Sequence, residues 1–213
     1  MACELVKPHW DKLVYAHRLT HIDNIPYILK VGFVHQSSKK ANPNYVPIGD
    51  TSIIKVRNDD LHHGYRLSEY IPFYFGPHTP MLLVIQSGRN GVTKRDPEEI
   101  VHCVVRIDTI IEQGWDCIFT DGHAVAGITE FYTKTDLTRL DELVKVEDVY
   151  ARYWKDELDV DLGRRKQAEI LLKNEILAQY IAGFFVYNEE AKQKMEAMGI
   201  DSCRICVAPE YYF

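Results

Sequence analysis

Residues 70–81 read Tyr-Ile-Pro-Phe-Tyr-Phe-Gly-Pro-His-Thr-Pro-Met, and they exclude more folds than any other part of the chain. Four aromatic side chains and three prolines fall within twelve residues. Each proline fixes φ and removes a backbone donor, so neither one uninterrupted helix nor a central strand runs through the segment. What remains is a short extended piece over residues 70–75, a break at Gly76-Pro77, and a helix opened by Thr79-Pro80. Side chains alternate along an extended piece, so Phe73 and Phe75 point one way and Tyr74 the other. An aromatic strand is most often core. Aromatic faces also bind flat ligands such as purine or pyridine rings.

The rest of the chain supplies many short elements. Residues 15–20 read as a strand, and Asp23 is expected to cap a helix over residues 25–31 that Gly32 ends. Residues 36–60 form a long polar loop with one helical turn near 53–57, and a loop of that length is usually functional. Strands are expected at 100–107, 116–120, 169–172, 183–187 and 203–207, and helices at 79–85, 108–113, 136–143 and 189–198. An acidic turn, residues 156–161, precedes Arg164-Arg165-Lys166. Short strands interspersed with short helices, without regular βαβ units, make an α+β fold occupying residues 1–213 as a single domain.

With 46% hydrophobic and 26% charged residues, 213 residues suffice for a sizeable core. A net charge of −6 argues against wholesale nonspecific nucleic-acid binding and leaves room for a local basic groove. The five scattered cysteines are expected as reduced thiols, and Cys203-x-x-Cys206 lacks a second pair to complete a zinc site. Residues 1–10 lack a secretory apolar region, and no apolar run approaches a membrane span. A soluble cytoplasmic protein with no membrane contact is expected.

Four islands concentrate chemistry: residues 18–24, 70–81, 118–123 and 165–171. Arg18, Thr20 and His21 stand at the end of a strand, where polar groups meet ligands at a sheet edge. Thr120-Asp121-Gly122 is a tight turn that presents His123. Glu169 opens an apolar strand, a costly place for a carboxylate unless it is paired or used. Each has a bland reading: His21 as a helix-start residue, His123 as a surface residue on an ordinary turn, Glu169 as a satisfied sheet-edge carboxylate. No Walker loop, G-x-G-x-x-G, G-x-S-x-G or H-E-x-x-H is present.

Together and in this order, these segments resemble the DarT family, DNA ADP-ribosyltransferase toxins of bacterial toxin–antitoxin systems. The matching pieces are Thr20-His21-Ile22-Asp23-Asn24-Ile25, Tyr70-Ile71-Pro72-Phe73-Tyr74-Phe75, Thr79-Pro80-Met81, Ser87-Gly88, Phe119-Thr120-Asp121, His123, Gln167-Ala168-Glu169 and Tyr211-Tyr212-Phe213. They span nearly the whole chain. The resemblance implies an ADP-ribosyltransferase-like fold, a split mixed β-sheet core with short flanking helices that clasps NAD+. It implies that Glu169 is the catalytic glutamate, that Arg57 is the second essential residue, and that His123 lies on the substrate side. Arg18 stands where some members carry His. A DarG-like macrodomain antitoxin is the implied partner, and a thymine in single-stranded DNA the implied acceptor.

Nicotinamide leaves ribose through an oxocarbenium-like state, and a carboxylate near the 2′-hydroxyl stabilises that state without a metal. The expected cofactor contacts for NAD+ as co-substrate are Arg18, Thr20, His21, Asn24, Tyr70, Phe73 and Tyr74. Arg57 serves either the diphosphate or the acceptor base. Lys94, Arg95, Arg164 and Arg165, with His123, are the expected DNA contacts, although loop cations are commonly just solvated. A monomer is expected. Two other readings stand: an NAD-consuming enzyme with a guanine, RNA, protein or water acceptor, and a non-catalytic nucleotide- or partner-binding module.

Overall fold

The computed structural model describes residues 11–59, 61–155 and 157–213. The expectation for residues 1–10, and Asp156 at the head of the acidic turn, lie outside the described residues. The described strands are β1 (Tyr15–His21), β2 (Leu61–His62), β3 (Tyr65–Arg66), β4 (Ile71–Tyr74), β5 (Ile100–Arg106), β6 (Cys117–Thr120), β7 (Phe131–Thr133), β8 (Glu169–Leu172), β9 (Gly183–Val186) and β10 (Ile205–Val207). The helices are α1 (Ile25–Val31), α2 (Thr51–Asp59), α3 (Pro80–Ser87), α4 (Ile107–Glu112), α5 (Leu140–Leu143), α6 (Val146–Tyr150), α7 (Leu162–Arg165) and α8 (Glu189–Ala197).

Eight strands form one sheet in the order β10-β9-β5-β1-β4-β8-β6-β7, and β2 and β3 make a separate hairpin. β10 runs parallel to β9 and the other neighbours are antiparallel, so the sheet is mixed. β1 and β5 pair along their whole length, from Tyr15↔Arg106 to His21↔Ile100. β1 and β4, by contrast, meet only at His17↔Tyr74. The chemistry of β4 explains the seam: Pro72 has no N–H to offer a neighbour. Its carbonyl accepts from a side chain, Arg18 Nη1, at 2.9 Å. The expected split sheet is therefore present, and its two halves join at the aromatic strand.

One face of the sheet carries the main core, where Ala16, Phe73, Val101, Phe119, Ile170 and Phe184 pack under α1, α4 and α8. The opposite face is covered in two parts. Tyr15, Leu19, Val104 and Phe185 pack with Leu82 and Ile85 of α3 and with Tyr211 and Tyr212. Leu67, Ile118, Ala124 and Leu171 form a smaller cluster with Tyr65, Tyr70 and Phe131 against it.

Punctuation residues behave as the sequence leads one to expect. Thr79 accepts from Leu82 N at the start of α3, and Asn188 from Ala191 N at the start of α8. The cap before α1 is different: His21 Nδ1 accepts from Asp23 N, while Asp23 reaches Lys194 at 3.1 Å. Asp23 is drawn away because an oppositely charged side chain from α8 lies beside it. α2 is a full nine-residue helix where one turn was expected. Cys103 and Cys117 are buried free thiols and Cys203 a half-buried one.

Candidate active site

A row of side chains crosses the second half of the sheet. Tyr74 of β4 is paired with Glu169 of β8, and Thr120 of β6 with Phe131 of β7. β6 and β8 pair at Phe119↔Ile170, so the next step of the same register brings Thr120 beside Glu169. Directly opposed residues in an antiparallel pair share a face. Tyr74, Glu169, Thr120 and Phe131 therefore stand in line on the face opposite the main core. Thr120 Oγ1 sits 3.3 Å from both the backbone nitrogen and the carbonyl oxygen of Glu169 and donates to Gly122 O at 2.7 Å. Glycine is needed at 122 because a Cβ there would run into the Arg164 side chain.

Glu169 is the centre of this row and is almost completely buried, 1% exposed. Arg57, reaching from α2, grips it through both oxygens: Nη1 to Oε1 at 3.0 Å and Nη2 to Oε2 at 3.1 Å. The backbone N–H of Ala124 adds a bond to Oε1 at 3.0 Å. A carboxylate has about four lone-pair sites, so these bonds leave one open on Oε2. Burial works against the Arg57 charge, but the adjoining Glu169 carboxylate outweighs it and holds the guanidinium pKa above its ordinary value. The pair is thus fixed in a bidentate geometry that orients the carboxylate plane.

Two titratable groups frame the pair. Burial, and next the Glu169 charge, push the Tyr74 phenol upward, so it remains a donor; it points to Met81 Sδ at 3.7 Å. Burial lowers the His123 pKa, and Arg57 and His62 add to that against the opposing pull of Glu169. His123 is accordingly a neutral imidazole at neutral pH. Its turn is held by Thr129 Oγ1 donating to His123 O at 2.8 Å and by His123 N donating to Arg164 O at 3.1 Å.

Of the residues expected at the site, Glu169, Arg57, Tyr74 and His123 come together. Arg18 lies in the seam between the halves, with its guanidinium 5.8 Å from the Phe33 ring centroid and close enough to act on Tyr74. Phe73 does not face a ligand. It is fully buried and edge-on to Phe33, with ring centroids 5.4 Å apart, because alternation sends it to the main core. Tyr70 directly precedes β4, four residues from Tyr74 and about 13 Å away at strand rise. It packs edge-on to Tyr65 under the Lys173 ammonium.

Thr20, His21 and Asn24 are buried and spend their polar atoms on the protein itself. Asn24 donates to Thr20 Oγ1 at 3.1 Å and to Val46 O at 2.8 Å, and accepts from Val46 N at 2.9 Å. These bonds pin the loop that leads into α2, and so position Arg57. His21 Nε2 meets Glu99 Oε1 at 3.1 Å.

The cations tell a similar story. Arg164 is held by Asp121 at 2.7 Å and Asp161 at 2.8 Å. Arg165 is held by Asp148 and Asp159, each at 2.6 Å, and by Asp161 at 3.3 Å. These carboxylates neutralise both guanidiniums within the structure, which argues against open cations for a phosphate backbone. Arg95 is paired with Glu99 at 3.3 Å, while Lys94 is exposed. The sequence shows the Arg-Arg pair and the acidic turn before it plainly, but not the carboxylates that arrive from 121 and 148. Ala124, which acts through its backbone N–H, and His62, which comes in from the β2–β3 hairpin, carry no sequence signal. Among the described residues no group of three or more His, Cys, Asp or Glu is arranged to hold a metal.

A family model described as "ssDNA thymidine ADP-ribosyltransferase, DarT" matches residues 17–213. A DNA ADP-ribosyl transferase of Escherichia coli O127:H6 is 33% identical over 186 residues, covering 84% of this chain and 83% of that protein. A DNA ADP-ribosyl transferase–DNA ADP-ribosyl glycohydrolase fusion protein of Thermosipho africanus is 29% identical over 211 residues, 97% of this chain and 50% of the fusion. Among solved structures, Thermus sp. 2.9 DarT in complex with ADP-ribosylated ssDNA superposes with a TM-score of 0.79 at 27% identity, covering 98% of this chain and 100% of that one. The same protein in complex with NAD+ gives 0.74 at 26% identity, with 98% of this chain and 100% of that one covered.

Proposed function

The chain belongs to the DarT family of NAD+-dependent DNA ADP-ribosyltransferases, and we propose that Glu169 and Arg57 carry out its transfer of ADP-ribose from NAD+ to a thymine base of single-stranded DNA. The observation that carries this assignment is the bidentate Arg57–Glu169 pair, beside the seam of a split sheet and framed by Tyr74 and His123.

The reaction begins with loss of nicotinamide. The C1′–N bond of the nicotinamide ribose breaks, its electron pair leaves with the pyridine ring, and the ribose acquires oxocarbenium character. The open lone pair on Glu169 Oε2 suits the 2′-hydroxyl of that ribose. The carboxylate then faces positive charge that is larger in the transition state than in bound NAD+, the condition for catalysis rather than mere binding. That acceptor site is one that neither Arg57 nor Ala124 N occupies.

The acceptor is a thymine ring nitrogen. Its electron pair makes the new bond to C1′, and its proton passes to water. Arg57 remains cationic throughout and favours the deprotonated base electrostatically; an arginine is far too weak an acid to serve as the base itself. In a duplex that nitrogen is engaged in pairing, so an unpaired strand is required. Tyr74 is the aromatic face nearest the carboxylate and takes the nicotinamide, with Arg18 in the seam serving the diphosphate.

The fused glycohydrolase of the T. africanus relative supports a DarG-like macrodomain antitoxin as the partner that reverses the modification, with this chain as the toxin. No described helix is long and apolar enough to cross a membrane. We take the chain to work in the cytoplasm as a monomer with one catalytic domain. Mass spectrometry of oligonucleotides incubated with NAD+ tests the assignment. Single-stranded thymine-containing oligonucleotides should gain one ADP-ribose with release of nicotinamide, and paired duplexes should react far more slowly. Modification of guanine alone, or of protein with DNA untouched, would refute it.

A further inference from the structure

The β2–β3 hairpin pairs Leu61↔Arg66 and His62↔Tyr65, leaving His63 and Gly64 as its two loop residues. Both have positive φ, +48° and +85°, the pattern of the type I′ turn that two-residue hairpins favour. Gly64 adopts this conformation freely. At the first position asparagine and aspartate are the usual residues, and histidine is also among the side chains found at positive φ. The turn accepts the imidazole without requiring it, so what its ring touches is the informative observation.

The ring of His63 lies nearly parallel to Phe131, with centroids 5.0 Å apart at 25°. Tyr65 is also nearly parallel to Phe131, at 5.6 Å and 14°. Phe131 is the last member of the row that starts at Tyr74 and Glu169. By register it stands two strand spacings from Glu169, about 10 Å. His63 is exposed, and Tyr65 and Phe131 are half-buried, so the stack reaches solvent. The hairpin is also fastened to the reacting centre. His62 Nε2 meets Val56 O of α2 at 3.4 Å, and His62 acts electrostatically on His123. Arg66, exposed on β3, pairs with no carboxylate among the described residues and adds positive charge at the same edge.

We propose that His63, Phe131 and Tyr65 form a stacking platform for a base that flanks the modified thymine. The inference rests on the DNA-transferase reading of the site and adds where the neighbouring strand lies. Every base has a π-face, so a stack of this kind holds the strand without choosing its sequence. The distance to Glu169 suits the base next to the thymine or the one beyond it.

The test uses His63→Asn, which puts the turn's preferred residue in place of the ring and so protects the fold. Oligonucleotides carry one thymine, with flanking bases intact or replaced one at a time by abasic sites. Wild-type kcat/KM should drop about tenfold when the stacked base is missing, the usual worth of one base–aromatic stack. His63→Asn should lose a similar factor on the intact oligonucleotide and nothing further on that abasic one, with KM for NAD+ unchanged. Phe131→Leu, which removes the central ring, should behave in the same way. Equal rates for His63→Asn and wild type on intact DNA, or equal losses on intact and abasic DNA, would overturn the platform. Failure of the wild type to modify any oligonucleotide would instead overturn the transferase reading, and the platform with it.

Discussion

Replacing Arg57 with alanine should damage stability as well as activity, and the structure fixes how much. Glu169 is 1% exposed and accepts two bonds from Arg57 and one from Ala124 N. Arg57→Ala removes both charge-assisted bonds and leaves an ionised carboxylate in the protein with a single partner. Breaking a buried pair by removing one member costs roughly 3–5 kcal/mol. Arg57 itself is 13% exposed, so water can partly replace it, and the lower end, about 3 kcal/mol, applies. For a chain of this size that is a fall in melting temperature of roughly 6–12 °C. Adding Glu169→Gln should recover much of it, since the neutral amide no longer needs a cation and keeps an acceptor for Ala124. Thermal unfolding of the two single variants and the double variant measures the coupling directly. A melting temperature for Arg57→Ala within about 1 °C of wild type would mean that the pair is not buried in solution, and the account of how Glu169 is held would fall.

Other outcomes follow from the same geometry. Glu169→Gln should stay folded yet lose at least two to three orders of magnitude, roughly, in kcat/KM for DNA modification, measured by mass spectrometry. Acid should destabilise the protein through three buried histidines. Burial lowers His17 to about 3 and His78 to about 4, and places His102 well below its ordinary value. Below about pH 6.5 the unfolded chain binds these protons and the folded one does not, so stability present above that pH is lost as pH falls toward 4. The limiting slope is about 1.36 kcal/mol per pH unit per histidine, and His102→Phe should remove one such increment from urea midpoints measured across that range. Arg164→Met should lower the melting temperature while leaving the salt dependence of oligonucleotide binding unchanged, because its charge is already taken by Asp121 and Asp161. A flattened salt slope would restore it as a DNA contact. Gly122→Ala should cost both stability and activity, since the added methyl has to displace Arg164.

Local rules made much of this protein legible from its residues alone. Proline and glycine placement marked the break after β4, and capping chemistry marked the starts of α3 and α8. Period-two alternation already separated Phe73 from Tyr74. The cost of a carboxylate heading an apolar strand singled out Glu169. These signals act between near neighbours, which one sequence displays. The meeting of Arg57 with Glu169 spans 112 residues and depends on a helix and a strand coming into register. The carboxylates that pair with Arg164 and Arg165 come partly from 121 and 148, well away in sequence, so the pairing was not legible there. Strands as short as β2, β3 and β7 carry no period to detect, and with them the His63–Phe131–Tyr65 stack stayed hidden. Sequence thus determined which residues had reason to be unusual. Tertiary structure decided which of them met, because long-range pairing is set by the packing of the whole sheet.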